Sequence, residues 1–145
     1  MPKYLYAKGR IIESIQFISK EMKEFEGDYL NKTRQDYEND TRLQKLIDRT
    51  VENILTALIE ASGTTLAEEG IAVESYSDIL IKTAKLFDFA EKDQESLAKL
   101  ALQRNRLAHR YLNFRWDAIK MYVNQKELIH KLLSAMMKRE EGKEG

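Results

Sequence analysis

The sequence predicts an all-α protein, an up-down bundle of four to five helices, and three observations carry that prediction. Glycine is sparse, at 6 of 145 residues, and the only proline is Pro2, so little interrupts a helix. Apolar residues recur at spacings of three and four over long stretches, the period of a buried helix face. Runs of strand-forming residues bounded by turn signals are missing. With 43% hydrophobic and 33% charged residues, the composition is that of an ordinary soluble helical domain. One domain is expected over residues 1–138, followed by a charged, glycine-containing and frayed tail over 139–145.

The first helix is expected from about Tyr4 to Phe25, with Ile11, Ile15, Ile18, Met22 and Phe25 as its buried stripe and Gly27-Asp28 as its end. Tyr29 to Asp40 is polar and mixed, and reads as an irregular connection or an early extension of the second helix. Asp40 or Thr41 is placed to cap that helix, which runs to Ala61 with Leu43, Ile47, Val51, Ile54 and Leu58 inward. Ser62-Gly63 is expected to close it, leaving Thr64 to Glu74 as a loop whose Glu68-Glu69 pair is solvated. Ser75 caps a shorter helix from Tyr76 to about Ala90, carrying Ile79, Leu80, Ala84 and Phe87. Another helix runs from about Asp93 to Leu112-Asn113. The last starts close to Phe114-Arg115-Trp116-Asp117 and reaches Lys138, presenting Ile119, Tyr122, Ile129, Leu133 and Met136. His130 sits in it as an ordinary helix residue.

Charge is distributed less evenly than the totals suggest. The chain balances 24 Lys and Arg against 24 Asp and Glu, yet Ser96 through Trp116 contains no acid and holds Lys99, Arg104, Arg106, Arg110 and Arg115. His109, one of two histidines, lies inside this segment. A local cationic patch beside a histidine suits a phosphate-bearing ligand. At about 100° per residue, Lys99, Gln103, Arg106 and Arg110 share a stripe expected to face solvent. Arg104 falls with Leu97, Leu100 and Tyr111 on one flank of the apolar face, Asn105 and His109 with Ala98 and Leu102 on the other. Burying an unpaired guanidinium is expensive, so Arg104 calls for a carboxylate, a phosphate or a water-filled cleft. Five positions apart, Arg104 and His109 point about 140° apart on a straight helix. They converge only around a cleft rim, through the long Arg side chain, or with a second copy of the helix.

Arg104-Asn105-x-x-x-His109-x-Tyr111 resembles the R-x4-H-x-Y signature of the HEPN superfamily, in particular the HepT-like toxins. The resemblance extends over nearly the whole chain, including the helix carrying Arg42-Leu-Gln and the Ser75-Tyr76-Ser-Asp entry into the next one. It implies a metal-independent ribonuclease in which Arg104 holds the scissile phosphate, His109 performs acid–base catalysis and Asn105 supports them. It also implies products ending in a 2′,3′-cyclic phosphate and a cleft formed between two protomers of a homodimer. The implied partner is an MNT-type nucleotidyltransferase antitoxin, which transfers AMP from ATP onto the motif tyrosine, here Tyr111. The chemistry suits the residues: histidine titrates near the working pH, and arginine offers a permanent planar fork for phosphate oxygens. The alternative is a catalytically silent HEPN module that binds a nucleotide or partners a nucleotidyltransferase.

Other chemistries lack their residues. Two histidines, no cysteine and no H-E-x-x-H give no metal site, and no cofactor is expected, since phosphate-binding glycine loops and a nucleophile elbow are missing. Without a cysteine there is no disulfide. No apolar run is long enough to span a bilayer and no signal-peptide pattern opens the sequence, so a cytoplasmic protein is expected.

Overall fold

The computed structural model describes residues 2–108 and 115–143. All regular structure among them is helical, in six elements: α1 (Pro2–Asp28), α2 (Arg34–Asn39), α3 (Thr41–Glu68), α4 (Tyr76–Leu86), α5 (Glu91–Ala108) and α6 (Arg115–Gly142). The sixth is α2, in the stretch whose conformation the sequence left open. A reciprocal capping box starts it: Asp36 N–H donates to Thr33 Oγ1 at 3.1 Å, and Thr33 N–H donates to Asp36 Oδ2 at 2.9 Å. The Thr33 backbone N–H bond to the carboxylate, and after it the Thr33 side chain, hold the Asp36 carboxyl below its usual range.

The helix α3 lies at the centre and packs against each of the others, with α1 along one side and the α4–α5–α6 layer along the other. The stripe Ile11, Ile15, Ile18, Met22 and Phe25 of α1 is fully inside, as its spacing predicts. One continuous apolar cluster joins it to Ile47, Val51, Ile54 and Leu58 of α3 and to Ile119, Tyr122, Ile129 and Leu133 of α6. Asp40 caps α3 as expected, accepting from Arg42 N–H at 3.0 Å and Leu43 N–H at 3.1 Å.

Three expected boundaries are corrected. The helix α3 passes through Ser62-Gly63 and runs to Glu68, burying Ser62, Thr65 and Leu66. A Cβ at Gly63 would make only ordinary contact with Ile79 Cδ1 of α4, at 3.6 Å, so the position tolerates a helical residue rather than ending the helix. The stop is Gly70, at φ 72°, in a Schellman motif: Ile71 N–H donates to Leu66 O at 2.9 Å and Gly70 N–H to Ala67 O at 3.1 Å. The same motif ends α4 at Leu86, short of Ala90, with Asp88 as a left-handed residue at φ 62° and Phe89 N–H bonded to Ala84 O at 3.0 Å.

At the other end of the chain, α6 continues past Lys138 to Gly142, where a frayed segment was expected from Arg139. The reason lies in the Glu68-Glu69 pair, which is bridged rather than solvated. Arg139 contacts Glu68 at 3.1 Å, Glu69 at 2.8 Å and Glu140 at 2.7 Å, while Lys143 reaches Glu140 at 3.0 Å and also pairs with Glu68. Glu140, at 0% exposure, is the buried centre of this knot.

Candidate functional site

The guanidinium of Arg104 is the point where three helices meet. Its Nε donates to Thr56 Oγ1 of α3 at 3.1 Å, and its Nη1 to Asn105 Oδ1 at 3.4 Å. Its Cζ lies 5.7 Å from the ring centroid of Tyr76, a cation–π distance. Tyr76 is held there because Ser75 caps α4, accepting from Asp78 N–H at 3.0 Å. Among the described residues no carboxylate lies within ion-pair distance of Arg104. Of the environments a guanidinium demands, the structure supplies the open cleft: Arg104 lines a cavity of about 480 Å³ between α1 and α3, with Ser14, Phe17, Asn53, Thr56 and Glu60 around it. A hydroxyl, an amide oxygen and a ring orient the fork while leaving its charge uncancelled.

A second groove, of about 600 Å³, opens on the other side of Glu52 and Asn53, which line both. Its walls are Lys45 and Arg49 of α3, Leu107 and Ala108 at the described end of α5, and Arg115 at the start of α6. Arg115 is anchored there by a buried latch. Its Nη1 meets Asp48 Oδ2 at 3.0 Å, and its Nη2 donates to Gln44 Oε1 at 3.2 Å. Tyr37 of α2 donates its hydroxyl to the other Asp48 oxygen and sets its ring 5.2 Å from that of Trp116. Burial, then the bond to the Asp48 carboxylate, push the Tyr37 hydroxyl pKa well above its usual value.

The phase of α5 differs from the sequence reading. Gln103, expected on the solvent stripe, is 2% exposed, whereas Leu102, expected on a buried flank, is 49% exposed. Packing against α3, α4 and α6 turns the Leu97, Leu100, Ala101 and Leu107 face inward and brings Gln103 with it. Gln103 satisfies itself locally, donating to Lys99 O at 3.2 Å and accepting from Arg106 Nη1 at 3.2 Å. Ala98 and Asn105 consequently sit half-buried, with Leu102 fully outward between them.

Of the four residues predicted for the site, the structure puts Arg104 on the cleft wall and brings Asn105 into hydrogen-bond contact with it. His109 and Tyr111 lie outside the described residues, as does Arg110. Thr56, Tyr76, Asp48 and Tyr37 were missed as site residues. The signal for Thr56 was present, because Glu52, Asn53, Thr56, Glu60 and Thr64 form a polar stripe opposite the apolar one on α3. The other histidine, His130, is 44% exposed and lies 3.8 Å from Glu26, a carboxylate that Lys126 also approaches at 3.4 Å; that is an ordinary surface arrangement.

Among the described residues no helix is long and apolar enough to cross a membrane. Comparison with known families finds one described as ribonuclease HepT-like, matching residues 11–137. No curated protein and no solved structure gives a significant match. From Ile11 in the first helix to Met137 in the last, the match embraces every described element that builds the cleft, and the chain belongs to the ribonuclease HepT-like family, with a HEPN-like helical bundle as its fold.

Proposed function

We propose that the protein is a metal-independent endoribonuclease, the toxin of a HEPN/MNT toxin–antitoxin pair acting in the cytoplasm, with Arg104 and His109 as its catalytic residues. The observation that carries this reading is the uncancelled guanidinium of Arg104 on an open polar cleft, five positions before a histidine, in a chain of this family.

In the proposed reaction His109 takes the proton of an RNA 2′-hydroxyl. The 2′-oxygen attacks the adjacent phosphorus, the bond from phosphorus to the 5′-oxygen breaks, and the leaving oxygen receives a proton. The products end in a 2′,3′-cyclic phosphate and a 5′-hydroxyl. Nothing is oxidised or reduced. Arg104 stabilises the charge that builds on the non-bridging oxygens, and Asn105 steadies Arg104 through its side-chain oxygen. A homodimer supplies two copies of the motif to one cleft, which answers the divergence of Arg104 and His109 on a single helix. Regulation follows from the same site: the antitoxin joins the Tyr111 oxygen to the α-phosphorus of ATP, pyrophosphate leaves, and the added phosphate competes with RNA for the Arg104 guanidinium.

The test compares wild type, His109→Ala and Arg104→Met, purified identically, on labelled RNA in EDTA. Cleavage by wild type alone, with cyclic phosphate ends, is the expected result. Intact RNA with all three, from protein that mass spectrometry shows to be free of AMP on Tyr111, would overturn the enzyme reading in favour of the silent binding module.

A further inference from the structure

A balanced net charge gives the whole molecule little general attraction for a polyanion, so affinity for RNA must come from a local surface. The exposed side of α3 provides one. Arg42, Lys45 and Arg49 follow one another at spacings of three and four, and all three are exposed. Over α3 they span about 10 Å at roughly 1.5 Å per residue. From Thr41 to Val51 the one acidic residue is Asp48, which is buried and bonded to Arg115 and Tyr37. None of the three cations lies within ion-pair distance of a carboxylate among the described residues, in contrast to Arg115, Lys126, Arg139 and Lys143. Leu46, 46% exposed, sits within the same stripe.

The stripe leads to the site. Lys45 and Arg49 form the wall of the groove of about 600 Å³ whose far side is Leu107 and Ala108, the residues immediately before His109 in the chain. One turn further, Glu52 and Asn53 line both this groove and the Arg104 cleft. We infer that Arg42, Lys45 and Arg49 form a binding track for single-stranded RNA, each cation taking one phosphate and Leu46 offering an apolar surface to a base, so that the strand is delivered along α3 to Arg104. This rests on the ribonuclease reading. A stripe on one helix face engages a flexible backbone that can follow it. Three point charges about a turn apart then contribute affinity without reading sequence.

The test replaces all three by glutamine, in a His109→Ala background so that the probe survives, with circular dichroism as the control for folding. Binding of a fluorescein-labelled unstructured 15-nucleotide RNA is followed by anisotropy between 50 and 200 mM salt. Losing three phosphate contacts lowers the slope of log affinity against log salt by about 2, since each contact on a single strand contributes about 0.7. Over that fourfold range, affinity of the unsubstituted stripe should therefore fall about twenty times more than that of the triple variant, and at 50 mM salt the variant should bind at least about tenfold more weakly. Equal slopes and affinities in a protein that does bind RNA would overturn the track while leaving the ribonuclease proposal in place. If RNA binding were unchanged while binding of a polyglutamate peptide disappeared, the stripe would be a face for an acidic protein, and the inference would again fail. Wild-type protein that neither binds nor cleaves the RNA would overturn both proposals together.

Discussion

Replacing Asp48 by Asn isolates the latch that ties α6 to α3. The Asp48 and Arg115 side chains are each 12% exposed and 3.0 Å apart, so water screens them little. Asparagine keeps an oxygen for the Tyr37 hydroxyl but leaves the Arg115 charge without its counter-ion, while Arg115 Nε is already buried without a partner among the described residues. Breaking a buried pair from one side costs about 3–5 kcal/mol, and the residual exposure places this one near the lower end, about 3 kcal/mol. With an unfolding entropy of roughly 2.1 cal/mol/K per residue, a chain of 145 residues loses about 3 °C of Tm per kcal/mol, so the expected drop is about 10 °C. Calorimetry or a thermal circular-dichroism scan measures it. The double variant Asp48→Asn with Arg115→Met should recover more than half of the loss, because the Arg115 charge is then no longer stranded. A drop below about 3 °C for the single variant, or no recovery in the double, would refute the view of this pair as a coupled, low-dielectric latch.

Three further outcomes follow from the same structure. Gly70→Ala should cost about 1–2 kcal/mol in urea denaturation, since φ 72° strains any Cβ-bearing residue although the space around it is open. Tyr122→Phe should raise stability by about 1 kcal/mol, because its hydroxyl is fully buried with no partner among the described residues. Tyr37 and Tyr122 both have raised pKa values, chiefly through burial. Their neutral forms therefore stabilise the fold fully below the unfolded-state value of about 10, and that contribution is lost as pH rises beyond it. A pH series of melting scans should show stability falling above about pH 10, less steeply in Tyr122→Phe.

What could be read from the sequence divides by the range of the interactions that decide it. The α1 stripe and the caps Asp40 and Ser75 are local patterns, and the structure has them where the sequence puts them. Gly63 and Gly70 offered two stops for one helix. The Leu66-to-Ile71 spacing around Gly70 carries a Schellman signature, whereas continuation of the helix through Gly63 is decided by the burial of Ser62, Thr65 and Leu66 against other helices. The fate of Glu68 and Glu69 was invisible because their partners lie at Arg139 and Lys143, more than two helices away along the chain. For α5, the apolar residues fix the helix but not its rotation: Leu102 and Gln103 exchanged places because neighbouring helices set the phase. Arg104 was legible as a guanidinium needing an unusual environment, whereas Thr56 and Tyr76, which define that environment, come from other helices.

The ion-pair knot at the ends of α3 and α6 has a kinetic side. It joins residues 70 and 75 positions apart, so its loop-closure entropy is met only when the bundle is already assembled. Contacts that form after the folding barrier leave the folding rate nearly unchanged and slow the escape from the native state. The knot is in this sense a brake on unfolding: Glu68→Gln, which weakens the bridges to Arg139 and Lys143, should raise the unfolding limb of a chevron while the refolding limb stays in place. An effect confined to refolding would show instead that the two helix ends meet early.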